Sequence, residues 1–402
     1  MRVALIAPHH FPIREPFAGG IESHVWHLAR ALIRQGHAVT LCAAAGSDLA
    51  MEHPALTVTA MPRSAAASRV FPPPGAIKES AHHAFVELMS ELADPASGVD
   101  VVHNHSLNPV PVLVARRLPV PVLTTLHTPP FPALEAAVGA VARSGQAFAA
   151  VSRQAAAAWE HVGIRRMALV RNGIDTSRWP AGPGGEDLVW SGRLLEEKGP
   201  HLAVDAALRA GRRIVLAGPI VDDHFFRRRI APTLGSRASY AGHLGQRELA
   251  TLVGRAAAAL VTPLWDEPYG QVVVEAMACG TPVVAFAGGG IPELVDEHSG
   301  RLVELGDVAA LAAAVREAVA LPRAGVRRVA VQRHGLARMV TGYVALYRAL
   351  IAEATPPPRP PKLHSSSESA RRIHTVSATS VDLRSCYAVG SGCWVAGEAG
   401  VL

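Results

Sequence analysis

The chain has 402 residues, 49% hydrophobic and 18% charged, which is enough apolar content for two domain cores and a tail. Alanine, valine and leucine dominate and aromatics make up only 5%, which favours buried parallel strands and packed helices over a β-sandwich. The net charge of +6 comes largely from scattered arginines without interleaved aromatics; this disfavours nucleic-acid binding and is as compatible with anionic substrates or an anionic membrane surface.

In chain order, "RVALIAP" (2–8) reads as a buried strand, followed by a glycine-containing loop and a helix in "SHVWHLARALIRQGH" stopped by Gly36. "AVTLCAA" (38–44) is the next strand, so the chain opens as a doubly wound α/β unit. Strands are predicted at 99–105, 120–127, 147–152 and 167–175, with helices over 108–117 and 153–162. "WPAGPGGED" (179–187) reads as a linker, after which the alternation restarts. Strands at 187–193, 213–219, 238–244, 258–263 and 281–286 alternate with helices at 199–211, 245–256 and within "GQVVVEAMACG". Helices over 307–320 and 336–353 close the folded part. The segment between 50 and 95 yields no assignment. The proline- and serine-rich end reads as disordered, and "GSGCWVAG" within it lacks the strand and helix that a nucleotide loop needs. The expected domains are 1–172, 173–335, a terminal helix 336–354 and a tail 355–402, with a ligand cleft at the strands' carboxyl ends.

The four cysteines, Cys42, Cys279, Cys386 and Cys393, form no C-x-x-C pair, which points to incidental thiols in a reducing compartment. The amino-terminal apolar run is too short for a signal peptide, and no run of 18 apolar residues occurs. The expectation is a soluble cytoplasmic chain, with peripheral contact at the inner membrane face as an option.

Four constellations carry chemistry. Gly19 and Gly20 precede a helix, where glycine permits positive φ and the close approach of a phosphate, although an ordinary βα turn reads the same way. In "SGRLLEEKG", Arg193 and Lys198 lie where a strand meets a helix; they suit a diphosphate, or are solvated loop cations with Glu196 or Glu197 as partner. In "DEPYGQVVVEAMACG", Glu275 lies within an apolar helix. A buried carboxylate is costly unless hydroxyls donate to it. Glu267 precedes the helix and is equally explained by the helix dipole. His127 ends a strand at the cleft, and His103 and His105 are similarly placed. A His-x-His metal site needs a third ligand that the sequence does not reveal. No Asp-x-Asp occurs, so no metal is expected to hold a diphosphate.

Taken in order, "AGGIESHVWHLARALIRQGHAVTL", "VRNGID", "SGRLLEEKG" and "EPYGQVVVEAMACGTPVVA" resemble the elements of the retaining glycosyltransferases of family 4, over roughly residues 1–350; the last resembles the family's E-x7-E signature. The resemblance implies a GT-B fold of two Rossmann-like domains facing a cleft, with the terminal helix 336–354 crossing back to the first domain. It implies a metal-independent hexosyltransferase that moves a sugar from a nucleoside diphosphate, UDP-linked in first place and GDP-linked in second, with retention at the anomeric carbon. Gly19 and Gly20 would contact the diphosphate through their backbone, and Arg193 and Lys198 would clamp it. Glu275 would accept from the ribose hydroxyls. Glu267, with Tyr269, Gly270 and Gln271 after it, would hold the sugar, and His127 would touch it near the reacting carbon. The backbone around Leu244 would cover the base. No cofactor is implied. The acceptor stays open among a lipid, a small metabolite and a glycan, with "SRVFPPPGAIKESAHHAF" on its side. The competing readings are a non-catalytic nucleotide-sugar-binding protein and a GT-B sugar-nucleotide epimerase. A dehydrogenase is disfavoured because G-x-G-x-x-G is missing from the first turn.

Overall fold

The computed structural model describes residues 1–62 and 75–354. The expected disordered tail, with Cys386 and Cys393, and the proline-bearing start of the acceptor-side flank, residues 68–74, lie outside the described residues.

β1 (Arg2–Ile6), β2 (Ala38–Ala44), β3 (Leu56–Met61), β4 (Val101–Asn104), β5 (Val122–Leu126), β6 (Ala147–Ala150) and β7 (Met167–Leu169) form a sheet in the order β3-β2-β1-β4-β5-β6-β7. β8 (Leu188–Ser191), β9 (Ile214–Ala217), β10 (Ala238–Tyr240), β11 (Ala258–Val261), β12 (Val283–Phe286) and β13 (Gly300–Val303) form a second, in the order β10-β9-β8-β11-β12-β13. Every pairing is parallel. Parallel strands must be joined by crossovers, and in the first half all but the β2–β3 connection carry helices: α1 (Gly20–Arg34), α2 (Ala76–Ala93), α3 (Pro109–Val114), α4 (Pro132–Val141) and α5 (Arg153–Ala158). The second half carries α6 (Pro200–Arg209), α7 (Asp223–Phe225), α8 (Gln246–Gly254), α9 (Gln271–Ala278) and α10 (Val308–Ala318). Both sheets reverse strand order once, at β1/β4 and at β8/β11. Such switch points are where open α/β sheets bind ligands, beyond the strands' carboxyl ends.

The central strands lack polar alternation because both of their faces are covered. Val3 and Leu5 join one core with α1, while Ala4 and Ile6 join another with residues of α2 and α3. In the second half, Val189 and Val261 pack with α8 and α9, and Leu188, Trp190 and Leu260 with α6 and α10.

α11 (Arg323–His334) packs on α9, and α12 (Leu336–Ala354) then packs on α1 and β4. Its Met339, Val340, Tyr343, Tyr347 and Leu350 share the core of Val3, Leu5 and Val25. The chain therefore passes between halves twice, and the two passages are bonded together. The Ile174 amide donates to the His334 carbonyl at 2.7 Å, and the Leu336 amide donates to the Ile174 carbonyl at 2.9 Å. A Cβ on Gly173 would lie 2.7 Å from the Leu336 Cα, so only glycine fits this crossing.

The stretch read as a linker is clamped. A Cβ on Gly182 would sit 2.1 Å from the Gly254 carbonyl oxygen, and Trp179 is buried. Arg323 donates to the carbonyls of Gly182, Gly254, Ala256 and Cys279 and to the Thr281 hydroxyl. Sequence reading misses β3, α2, α4, α11 and β13. β3 is an edge strand with exposed positions, and α11 carries a polar "RAGVRRVAVQRH" with only Val326, Val329, Ala330 and His334 buried. The strand expected over 238–244 stops at Tyr240, before a loop in which Gly242 has φ 88°. Among the described residues no helix is long and apolar enough to cross a membrane, and the expected peripheral membrane contact finds no support.

Replacing Arg323 by methionine leaves the acceptors Gly182, Gly254, Ala256 and Cys279 without their cation. We expect a loss of about 2–3 kcal/mol in denaturant unfolding, with an unchanged denaturant slope. Unaltered stability would show that the clamp does not hold the second half.

Candidate active site

On the first half, the loop after β1 ends in Gly19 and α1. Gly19 is extended (φ −165°) and Gly20 is not among the positive-φ glycines, so the expected left-handed turn is not what selects glycine here. A Cβ on Gly19 would press on the Glu22 carboxylate at 3.0 Å, while one on Gly20 would make ordinary contact, 3.9 Å from Gln271 of the other half, so the two helix starts lie side by side. Neither Gly19 nor Gly270, the N-caps of α1 and α9, offers a side chain to the helix amides. Two helix N-termini without a capping side chain therefore abut, and their partial positive charges add.

One turn into α1, His24 meets the carboxyl ends of β4 and β5. Its ring lies 5.1 Å from that of His105 and 4.9 Å from that of His127. His105 Nδ1 is 2.9 Å from His127 Nε2, and His105 Nε2 is 3.1 Å from His103 Nδ1. His103 in turn reaches Tyr347 Oη at 2.6 Å and Thr125 Oγ1 at 2.7 Å. Burial and the mutual repulsion of these rings hold His103, His105 and His127 neutral, far below the usual histidine range, and burial pushes His24 down to about 3. The third imidazole that the sequence does not reveal is thus His24. It groups with His105 and His127, while His103 stands behind them.

On the second half, β8 ends at Ser191, and Arg193 and Lys198 follow around a 3-10 turn (Glu196–Lys198). Arg193 has only a distant carboxylate, Glu197 at 4.0 Å, and feels the charge of Glu22 on the first half. Lys198 pairs with neither Glu196 nor Glu197; its Nζ lies 2.7 Å from Glu267 and 4.4 Å above the Trp265 ring. Lys198 and Glu267, expected to serve different parts of a ligand, therefore lie against each other.

Gly270 starts α9 in the left-handed region (φ 96°), and a Cβ there would meet Ile291 at 3.1 Å. Gln271 begins the helix, and its buried Oε1 has no hydrogen-bond partner. The Tyr269 hydroxyl donates to the Asn172 carbonyl at 2.7 Å, so its side chain serves the crossing, which leaves its backbone for the part expected of the amides after Glu267. Glu275 keeps a partial opening, yet protein surrounds its carboxyl closely enough that burial raises its pKa from 4.5 to about 8. No described residue hydrogen-bonds that carboxyl. Leu244 is partly buried in a loop where His243 Nε2 lies 3.0 Å from the Phe17 carbonyl.

Sequence reading also misses Glu22, a buried carboxyl whose pKa burial raises, and Ser152, whose hydroxyl donates across to the Pro268 carbonyl at 2.5 Å. It misses Gly289 and Gly290 as well, which pack on the Glu267 and Pro268 backbone too closely for any Cβ. The helical spacing Gly20–His24 is the signal that could have revealed His24.

The Glu275 carboxyl makes a pH prediction. Between pH 4.5 and about 8 the unfolded chain releases this proton while the folded chain retains it, so its contribution to stability is lost as pH rises through that window. Thermal unfolding of Glu275→Gln should therefore fall less between pH 5 and 8 than that of the wild type, by on the order of a few kcal/mol. Parallel profiles would show that Glu275 titrates normally.

Residues 18–178 match the model of Glycosyltransferase Family 4, and residues 185–320 match that of Glycosyl transferases group 1. The glycogen synthase of Mycobacterium tuberculosis is 30% identical over 387 residues, covering 84% of this chain and 90% of that protein. Sucrose-phosphate synthase from Thermosynechococcus elongatus superposes with a TM-score of 0.74 at 23% identity, over 88% of this chain and 99% of that one. Anabaena HepE, solved in complex with UDP-glucose, gives 0.68 at 19% identity, over 87% and 100%. With its two Rossmann-like halves and both family regions in order, the chain belongs to glycosyltransferase family 4, and it is a glycosyltransferase of the GT-B fold.

Proposed function

We propose that this glycosyltransferase takes its sugar from a UDP-sugar and transfers it with retention at the anomeric carbon, without a metal ion. The observation that carries the reading is the meeting of two helix N-termini without capping side chains, Gly20 of the first half and Gln271 of the second, the half that also carries Arg193 and Lys198. A diphosphate needs such a concentration of fixed donors and cations, because charge grows on it as the sugar leaves. The UDP-glucose complex of Anabaena HepE supports uridine as the base.

In this reading Arg193, Lys198 and the amides beside Gly19 and Gly20 neutralise the diphosphate. The Leu244 backbone covers the base. Glu267, with the amides of Gly270 and Gln271, holds the sugar, and Lys198 bridges Glu267 to the phosphate. His127, kept neutral by burial, contacts the sugar as a hydrogen-bonding group rather than as a cation. The bond from the anomeric carbon to the diphosphate breaks as the bond to the acceptor oxygen forms on the same face. The acceptor's proton passes to a departing phosphate oxygen, and UDP leaves with it. The acceptor, lipid, small metabolite or glycan, enters from the first half.

UDP release from a panel of UDP- and GDP-sugars should identify one UDP-linked donor, and Lys198→Ala and Glu267→Ala should each lower turnover at least 100-fold. An inert wild type across donors and acceptors, or an inverted product anomer by NMR, would sink the proposal.

Ribose hydroxyls donating to Glu275 favour its ionised form. At pH 7 UDP binding should therefore release a proton, seen by calorimetry in buffers of different ionisation enthalpy, and Glu275→Gln should abolish that release. Proton uptake by the wild type would remove Glu275 from the ribose site.

A further inference from the structure

We propose that His24, His105 and His127 form a binding site for a divalent transition-metal ion, with Zn2+ as its best-suited occupant. One nitrogen from each ring lies within 4.8 Å of the others. Zn2+ with three imidazoles is held at Zn–N distances of about 2.0–2.1 Å, which puts the nitrogens about 3.3 Å apart in a tetrahedron. The His105–His127 pair, now at 2.9 Å, has only to open by a few tenths of an ångström, and His24 has only to turn toward it.

The chemistry of the group fits. All three rings are buried and held neutral, which is the form that offers a lone pair. His105 would bind through Nδ1, while its Nε2–H donates to His103 Nδ1. His103 Nε2–H donates in turn to Thr125, whose hydroxyl continues to Tyr343 at 3.3 Å. That chain fixes the tautomer and the ring angle of a ligand, as supporting groups behind metal-bound histidines do. His127 Nε2, which faces His105 Nδ1, becomes a ligand once its proton resides on Nδ1.

His24 is the independent observation. Both of its ring nitrogens are buried without a hydrogen bond of normal geometry; the Asn172 side chain is the one polar group that interacts with the ring as a hydrogen-bond partner, which leaves at least one nitrogen unmatched. A position that merely fills space beside two imidazoles and Tyr343 would be served by phenylalanine without leaving polar atoms unmatched. Entry is from the cleft, where His24 and His127 retain 5% and 7% exposure. Three protein nitrogens leave the fourth position to water or to a hydroxyl group of a ligand.

Transfer itself uses no metal in the scheme above. On the role proposed there for His127, an ion at this site withdraws His127 from the sugar, so the site makes the enzyme sensitive to zinc. Binding is read without turnover, so the proposal is tested even where no donor has been found.

Chelator-stripped full-length protein carrying Cys386→Ser and Cys393→Ser is titrated with Co2+, which replaces Zn2+ and reports its geometry by its visible d–d bands. One equivalent should bind with a tetrahedral, nitrogen-type spectrum, and Zn2+ should displace it. His24→Phe keeps an aromatic ring at the edge-on contacts with His127 and Tyr343 and should weaken binding at least tenfold. His127→Gln should do the same and serves should His24→Phe fail to fold. A His82→Ala/His83→Ala variant, which removes the exposed pair on α2, should bind as tightly as the parent. The absence of a tetrahedral complex, retention of affinity in a folded His24→Phe or His127→Gln, or its loss with His82 and His83 would each overturn the proposal.

Discussion

The crossing at Ile174 and Gly335 is the constraint on which the rest depends. Two passages of chain are bonded side by side there, so the second half is tied to the first by a short double strand instead of a loose linker. Tyr269 adds a third element by donating to the Asn172 carbonyl, and it immediately precedes the glycine that starts α9. The helix that carries Gln271 and Glu275 is thereby referenced directly to the point about which the halves meet. The carboxyl ends of both sheets are presented to one space because every strand in each sheet runs the same way.

Within that space the electrostatics divide cleanly. The second half supplies two cations and an amide terminus, with one carboxylate held against Lys198 and another that burial keeps protonated. The first half supplies an amide terminus and a group of neutral imidazoles. Charge selection thus lies on one wall, and neutral, shape-dependent contacts lie on the other. A low local dielectric strengthens both, and the same dielectric explains why Glu275 and Glu22 resist ionisation.

Much of this was legible in the residues. Continuous apolar runs such as "AVTLCAA" announce strands buried on both faces, and a carboxylate inside "GQVVVEAMACG" announces a site because it violates the pattern around it. Arg193 and Lys198 could be located but not partnered, since the Lys198–Glu267 contact joins residues 69 positions apart. His24 was hidden by its place on a helix whose polar and apolar positions read as ordinary amphipathicity. Tyr343 and Tyr347 were hidden because their hydroxyl partners lie more than 200 residues away. β3 and α11 escaped because an exposed edge strand and a basic surface helix carry little hydrophobic signal.

The placement of α12 bears on how the protein is made. Tyr343, Tyr347 and Leu350 complete the core that begins with Val3, Leu5 and Val25, so the first half contains an element that leaves the ribosome only after the whole second half. Domains ordinarily fold as they emerge, amino-terminal first. Here the first sheet must wait, with the α1–β4 face of its core uncovered, until the whole second half has been synthesised. The histidines at its edge acquire their tyrosine partners only then. Assembly of the site is therefore a late event in the life of each chain, and it checks that the chain has been read through to residue 350.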